Sequence, residues 1–214
     1  MISIDNSHAV RAAGGFRVLG VDPAVAGATG YGIVEFAGTQ PRLLRFGALR
    51  LPARATLAAR LRAIHELIAQ LAGEYAPDAI AIESVFSALN AGTALKLAEV
   101  RGVILLAAAQ AQIPAHNYSP REVKSSVAGY GAASKQQMQQ MVASLLGLKE
   151  NPEPADAADA LAVALCHAHR SQARERLTAA MSKGAAQAAL RNAGRSPQPA
   201  PGSRMRPARI PVSR

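Results

Sequence analysis

A mixed α/β sheet of five strands, with helices on both faces, is the fold class this 214-residue chain predicts. Three observations carry it. Two short apolar runs end in an acid, Arg17-Val18-Leu19-Gly20-Val21-Asp22 and Ala79-Ile80-Ala81-Ile82-Glu83. Two further apolar stretches, 31–36 and 43–49, are separated by Gly38-Thr39-Gln40-Pro41 and read as a hairpin beside the first strand. From residue 55 onward, segments of helical apolar spacing alternate with short strands, as in a sheet covered on both sides.

In order, residues 1–16 are polar, glycine-containing and aperiodic, which predicts a flexible N-terminal extension. Leu57, Leu61, Ile64, Leu67, Ile68 and Leu71 define a helix over 55–71, with Gly73 and Pro77 closing it. Asn90 caps a helix running to about Gln112, and 114–118 is a fifth strand. Ser119-Pro120-Arg121-Glu122 combines a capping box with proline at the first helical position. That helix stops at Gly129-Tyr130-Gly131, and Ser134 opens another that ends near Gly147. The last core helix spans about 155–169. Residues 170–214 form a basic tail, partly helical in its alanine- and arginine-rich beginning and largely disordered where Pro, Ser, Gly and Arg dominate after Arg195.

Half the residues are apolar but only 4% are aromatic, so core volume must come from Leu, Ile, Val and Ala. Single Cys166 excludes an intramolecular disulfide framework and fits a reducing cytoplasm. The N-terminus shows no secretory signal pattern, and no apolar run approaches the ~20 residues needed to cross a bilayer. A cytoplasmic protein without a membrane partner is expected. The net charge of +10 is unevenly held: residues 1–169 carry 14 Lys and Arg against 13 acids, and residues 170–214 carry 10 against one. Such a tail binds polyanions through counterion release, or simply solubilises the chain.

Four acids stand out: Asp22, Glu83, Asp156 and Asp159. The first two end buried strands at the carboxyl edge of the sheet, where such folds place their ligand crevice. An acid there is costly unless something cationic pairs with it. Asp156 and Asp159 lie one turn apart in Ala155-Asp156-Ala157-Ala158-Asp159-Ala160. Oxygen-only ligands select hard ions, Mg²⁺ or Mn²⁺ rather than zinc. A pair of such ions can activate water and stabilise the leaving oxygen of a phosphodiester. Singly, Asp156 is also compatible with a helix-dipole role and Glu83 with a loop opening; jointly, the quartet in a basic chain points to a metal-dependent nuclease. His167 and His169, two apart on a helix, chelate poorly.

Five blocks then make a specific resemblance. Val18-Leu19-Gly20-Val21-Asp22-Pro23 with Thr29-Gly30-Tyr31-Gly32 resembles the opening motif of RuvC-type Holliday junction resolvases. Ala81-Ile82-Glu83-Ser84-Val85-Phe86, then Asn90 and Ala94-Leu95-Lys96-Leu97, is similar to the second block. Arg101-Gly102-Val103, Val123-Lys124, Ser134-Lys135-Gln136 and the Asp156/Asp159 segment complete it over residues 17–169. The resemblance implies an RNase H-like fold and a homodimer that makes paired, symmetric nicks in four-way DNA junctions during recombination and repair. It implies Asp22, Glu83, Asp156 and Asp159 as catalytic metal ligands for two Mg²⁺ per site, with Mn²⁺ able to substitute. It implies DNA contacts from Phe86, Lys124 and Lys135, and a RuvA-RuvB-type branch-migration complex as partner. Phe86 is also readable as a loop anchor, and both lysines as solvated surface. Departures are Ala24 where the family usually has Gly, Ala98 and Glu99 before the Arg-Gly pair, and Asp159 where some relatives have His.

The helix from Asn90 is apolar nearly all round in its second half (Val103, Ile104, Leu105, Leu106 and three alanines), which predicts burial against both the sheet and a second copy, or a central place in its own domain. Alternative functions are an RNase H-like nuclease acting on RNA precursors or branched DNA, an actin-like phosphotransferase, for which the chain is too short, and a catalytically silent DNA-binding scaffold.

Overall fold

The computed structural model describes residues 11–25, 27–38, 40–84 and 90–193, with the backbone alone for 184 and 186–193. Five strands and five helices follow in the order β1 (Phe16–Asp22), β2 (Thr29–Ala37), β3 (Gln40–Leu49), α1 (Leu57–Tyr75), β4 (Ala79–Glu83), α2 (Ala91–Gln110), β5 (Ala115–Tyr118), α3 (Pro120–Ala128), α4 (Lys135–Leu145) and α5 (Ala155–Ala193). The chain divides into two compact units, Met1–Ala173 and Arg174–Arg214. The first holds the sheet.

The sheet order is β3-β2-β1-β4-β5, with β1–β2 and β2–β3 antiparallel and β1–β4 and β4–β5 parallel. It is the predicted mixed five-stranded sheet. The hairpin strands are longer than their apolar runs, because Gln40 and Pro41 join β3. Proline is tolerated there since β3 is an edge strand.

Side-chain alternation divides the core. Leu19, Val21, Ile33, Ile80 and Ile82 pack under α1 and α2 with Ile64, Ile68, Val100 and Ile104. Val18, Val34, Phe36, Ala81 and Tyr118 pack on the other face with α3, α4 and the run Leu161–Cys166. Each fully buried aliphatic contributes roughly 1.5–3 kcal/mol, so β1 and β4 anchor the molecule.

Several predicted boundaries move. Helix α1 continues through Gly73 and ends at Ala76, which takes a left-handed conformation (φ 43°) and returns its N–H to the Ala72 carbonyl. A glycine near a helix end was a poor stop signal here, because neighbouring Leu71 and Ala72 are buried and hold the last turn. The caps read from sequence stand: Asn90 accepts from Thr93 N–H at 2.8 Å, and Ser119 and Ser134 both form capping boxes. Helix α5 runs without a break past His169 to Ala193. No strong breaker occurs between Ala155 and Ala193, and Gly184 alone does not stop an alanine-rich helix.

Candidate active site

β1 and β4 run parallel, with Val21 beside Ile82, so both strands end at the same sheet edge. Their last residues are Asp22 and Glu83. Alternation puts both acids on the face covered by α5, in line with Gly20 and Ala81.

Three glycines decide how close α5 comes. Gly20 pairs with Gly32, and Asp22 with Gly30, so the acid has glycine around it on one face of the sheet. A Cβ on Gly20 would run into the Ala160 carbonyl and Ala164; one on Gly32 would meet Leu161; one on Gly30 would overlap the Asp156 carbonyl. The first turns of α5 therefore rest directly on strand backbone. Asp156 and Asp159 are carried to the same edge as Asp22 and Glu83.

The electrostatics register this convergence. Burial, then the charges of Glu83 and Asp159, a hydrogen bond with Glu83 and the charge of Asp156, push the Asp22 carboxyl up to about 8. Burial also raises Glu83, while its hydrogen bond with Asp22 and the positive charges of Lys124 and Lys135 pull the other way. Like charges in a poorly hydrated cleft oppose ionisation of both Asp22 and Glu83 at once. Lys135 Nζ lies 3.0 Å from Asp159 Oδ2, and Arg50 reaches to 4.0 Å from Asp156 Oδ2.

Among the described residues, no three His, Cys, Asp or Glu side chains already form a metal cage. The side-chain directions explain this. Asp22 and Glu83 turn towards each other, Asp159 towards Lys135 and Asp156 towards Arg50. The donor chemistry nonetheless fits a hard divalent cation: four carboxylates, no sulfur or imidazole, and mutual repulsion that a cation would relieve.

The structure brings together Asp22, Glu83, Asp156, Asp159 and, by their action on Glu83, Lys124 and Lys135. Phe86 lies outside the described residues. Ala24 introduces no strain, since Ala76 and Gln112 are the only described non-glycine residues with positive φ. Arg50 was missed in the sequence. It follows β3, whose pairing with β2 sets Leu49 beside Thr29, and no motif marks an arginine in that place.

Comparisons with known proteins agree with this architecture. The family profile described as crossover junction endodeoxyribonuclease RuvC matches residues 18–167. The chain is 48% identical over 152 residues to the crossover junction endodeoxyribonuclease RuvC of Heliobacterium modesticaldum, covering 71% of this chain and 93% of that protein. It is 47% identical over 160 residues to the protein of the same name from Chloroflexus aurantiacus, covering 75% and 97%. Among solved structures, Thermus thermophilus RuvC in complex with a Holliday junction substrate is similar, with a TM-score of 0.67 and 32% identity over 73% of this chain and 96% of that one. With its profile, relatives and sheet in accord, the chain belongs to the RuvC family of crossover junction endodeoxyribonucleases.

Proposed function

We propose that this protein resolves four-way DNA junctions by hydrolysing a phosphodiester in each of two symmetric strands. The observation that carries the reading is the convergence of Asp22, Glu83, Asp156 and Asp159 on the carboxyl edge of β1 and β4, where α5 rests on bare strand backbone. The relatives' names and the solved junction complex support the substrate class.

The family is one of metal-dependent nucleases. Asp22, Glu83, Asp156 and Asp159 would hold the metal, taken here as two Mg²⁺ with Mn²⁺ as substitute. When bound, it supplies the positive charge that favours a deprotonated attacking water and offsets charge on the phosphate. The chain's own groups do the rest. As ligands, Asp22 and Glu83 would both be deprotonated. Lys135 and Lys124 hold the backbone phosphate as point charges and align it for attack. Water oxygen bonds to phosphorus, the bond from phosphorus to O3′ breaks, and the proton goes to the departing O3′. The ends are 5′-phosphate and 3′-hydroxyl.

The proposal includes a homodimer, because two symmetric nicks call for two equivalent sites. Helix α2 supports it. One face buries Leu97, Val100 and Ile104, whereas Leu95, Leu105 and Leu106 stay 65%, 39% and 53% exposed. Light scattering is expected to give twice the chain mass; a monomer at high concentration would remove this part. A RuvA-RuvB-type branch-migration partner, base stacking by Phe86 and a cytoplasmic location belong to the same reading. Among the described residues no helix is long and apolar enough to cross a membrane.

The test is nicking of an immobile four-way junction against linear duplex, with and without Mg²⁺. Paired cuts at matching positions in opposite strands are expected. Equal cutting of linear duplex, or cutting of RNA in its place, would favour another nuclease of the same fold.

A further inference from the structure

We propose that the basic helical segment from Arg174 to Ala193 is a second nucleic-acid-binding element that grips duplex DNA through its phosphates, without regard to sequence. It lies beyond the family match, which ends at residue 167. The choice of DNA as its polyanion rests on the junction-nuclease reading above.

Charge is the first support. Residues 174–193 contain four Lys and Arg and a single acid, Glu175, and five more arginines follow them in the sequence, whereas residues 1–173 are nearly balanced at 15 against 13. A cationic excess confined to one segment is a local binding property. Availability is the second. Arg174, Arg176 and Lys183 are exposed on the helical part of the segment, and no ion pair among the described residues engages them. Arg170 differs: it is tied to Glu122 at 2.7 Å and is left out of the element. Arg176 and Lys183 are seven residues apart, two helical turns or about 10 Å, and so point to one side.

Composition separates DNA from an anionic membrane. An interfacial helix needs a substantial apolar face, commonly with Trp or Phe. Residues 174–214 contain no aromatic side chain. The exposed Leu177 and Met181 offer too little apolar surface to hold a lipid boundary. Lys and Arg that displace counterions from duplex phosphates need no such face. Joined to a junction-binding unit, the segment raises the local concentration of DNA arms around it and adds avidity.

The experiment compares the full-length parent with the R174Q/R176Q/K183Q triple variant and the charge-preserving R174K/R176K variant. Binding to a linear duplex is measured across a salt series, with helix content checked by circular dichroism. The triple variant is expected to bind duplex about tenfold or more weakly at 50 mM salt, and to lower the slope of log affinity against log salt by about 2–3. The charge-preserving variant is expected to keep the parent's affinity and slope. Unchanged duplex affinity and slope in the triple variant would overturn the proposal. So would unchanged duplex binding with loss of binding to phosphatidylserine vesicles. Failure of the parent to nick four-way junctions would instead count against the nuclease reading, and the duplex affinities would still decide this one.

Discussion

Gly30 of β2 lies against the backbone carbonyl of Asp156 with no room for a β-carbon between them. The first turn of α5 is therefore seated on bare strand backbone. This seat, more than any side-chain contact, sets how near Asp156 and Asp159 come to Asp22.

Replacing Gly30 by Ala should cost about 1–3 kcal/mol of stability, the usual penalty for overpacking. It should also weaken Mg²⁺ binding by pushing α5 away. Gly73→Ala is the contrast, since nothing lies within 4 Å of a Cβ there. In helix α1 that change should stabilise by roughly 0.5–1 kcal/mol. Thermal unfolding and calorimetric Mg²⁺ titration check both; equal behaviour of the two variants would deny the close seat its role.

Asp22→Asn should leave junction binding near the parent's and reduce nicking by about 10²-fold or more, the scale of losing one electrostatic stabiliser of a transition state. In metal-free buffer the same variant should unfold at a higher temperature than the parent. It removes a carboxyl that burial and three acidic neighbours already hold far above its ordinary value. Equal nicking by variant and parent would take Asp22 out of the mechanism.

Lys135→Gln should move two readouts in opposite directions. Its ammonium pairs with Asp159 at 3.0 Å and is 60% exposed. Without it, divalent-ion affinity should rise roughly two- to fivefold, the modest scale of a solvent-screened pair. Nicking should fall, because the scissile phosphate loses a cation. Parallel Mg²⁺ titration and cleavage assays decide it; a fall in both would assign Lys135 a purely structural part.

His167 makes stability depend on pH. Burial, and after it the neighbouring His116, push its imidazole down to about 4. Its Nδ1 lies 2.7 Å from the Tyr118 hydroxyl in the interior. The unfolded chain takes up the proton near pH 6.5 and the folded chain only near 4, so the unfolded state binds more protons between these values. The contribution is complete above pH 6.5 and is lost as pH falls to about 4, to the extent of about 3 kcal/mol. Denaturant unfolding at pH 7 and pH 5 should show a steeper loss for the parent than for His167→Gln. Identical losses would locate the acid sensitivity elsewhere.

Much of this was legible in the chain. Strand-final acids, the capping box at Ser119, the helix start at Ser134 and the apolar surplus of α2 are local patterns, and local chemistry enforces them. The quartet was legible because acids are rare among apolar neighbours. The end of α1 was not, since buried Leu71 and Ala72 outweigh the local effect of Gly73. Nor was Arg50, which becomes a neighbour of Asp156 only through the pairing of β3 with β2.

By itself the sequence determined the residue types, the periods and the stops: which segments become strands, which become helices, and which acids end them. These depend on neighbours a few positions away. Only the tertiary structure decided that Gly20, Gly30 and Gly32 form one smooth patch around Asp22, and that each acid is turned towards a particular partner. The parallel pairing of β1 with β4 joins residues about sixty positions apart, and the seating of α5 joins residues more than a hundred apart, so no local pattern encodes their geometry.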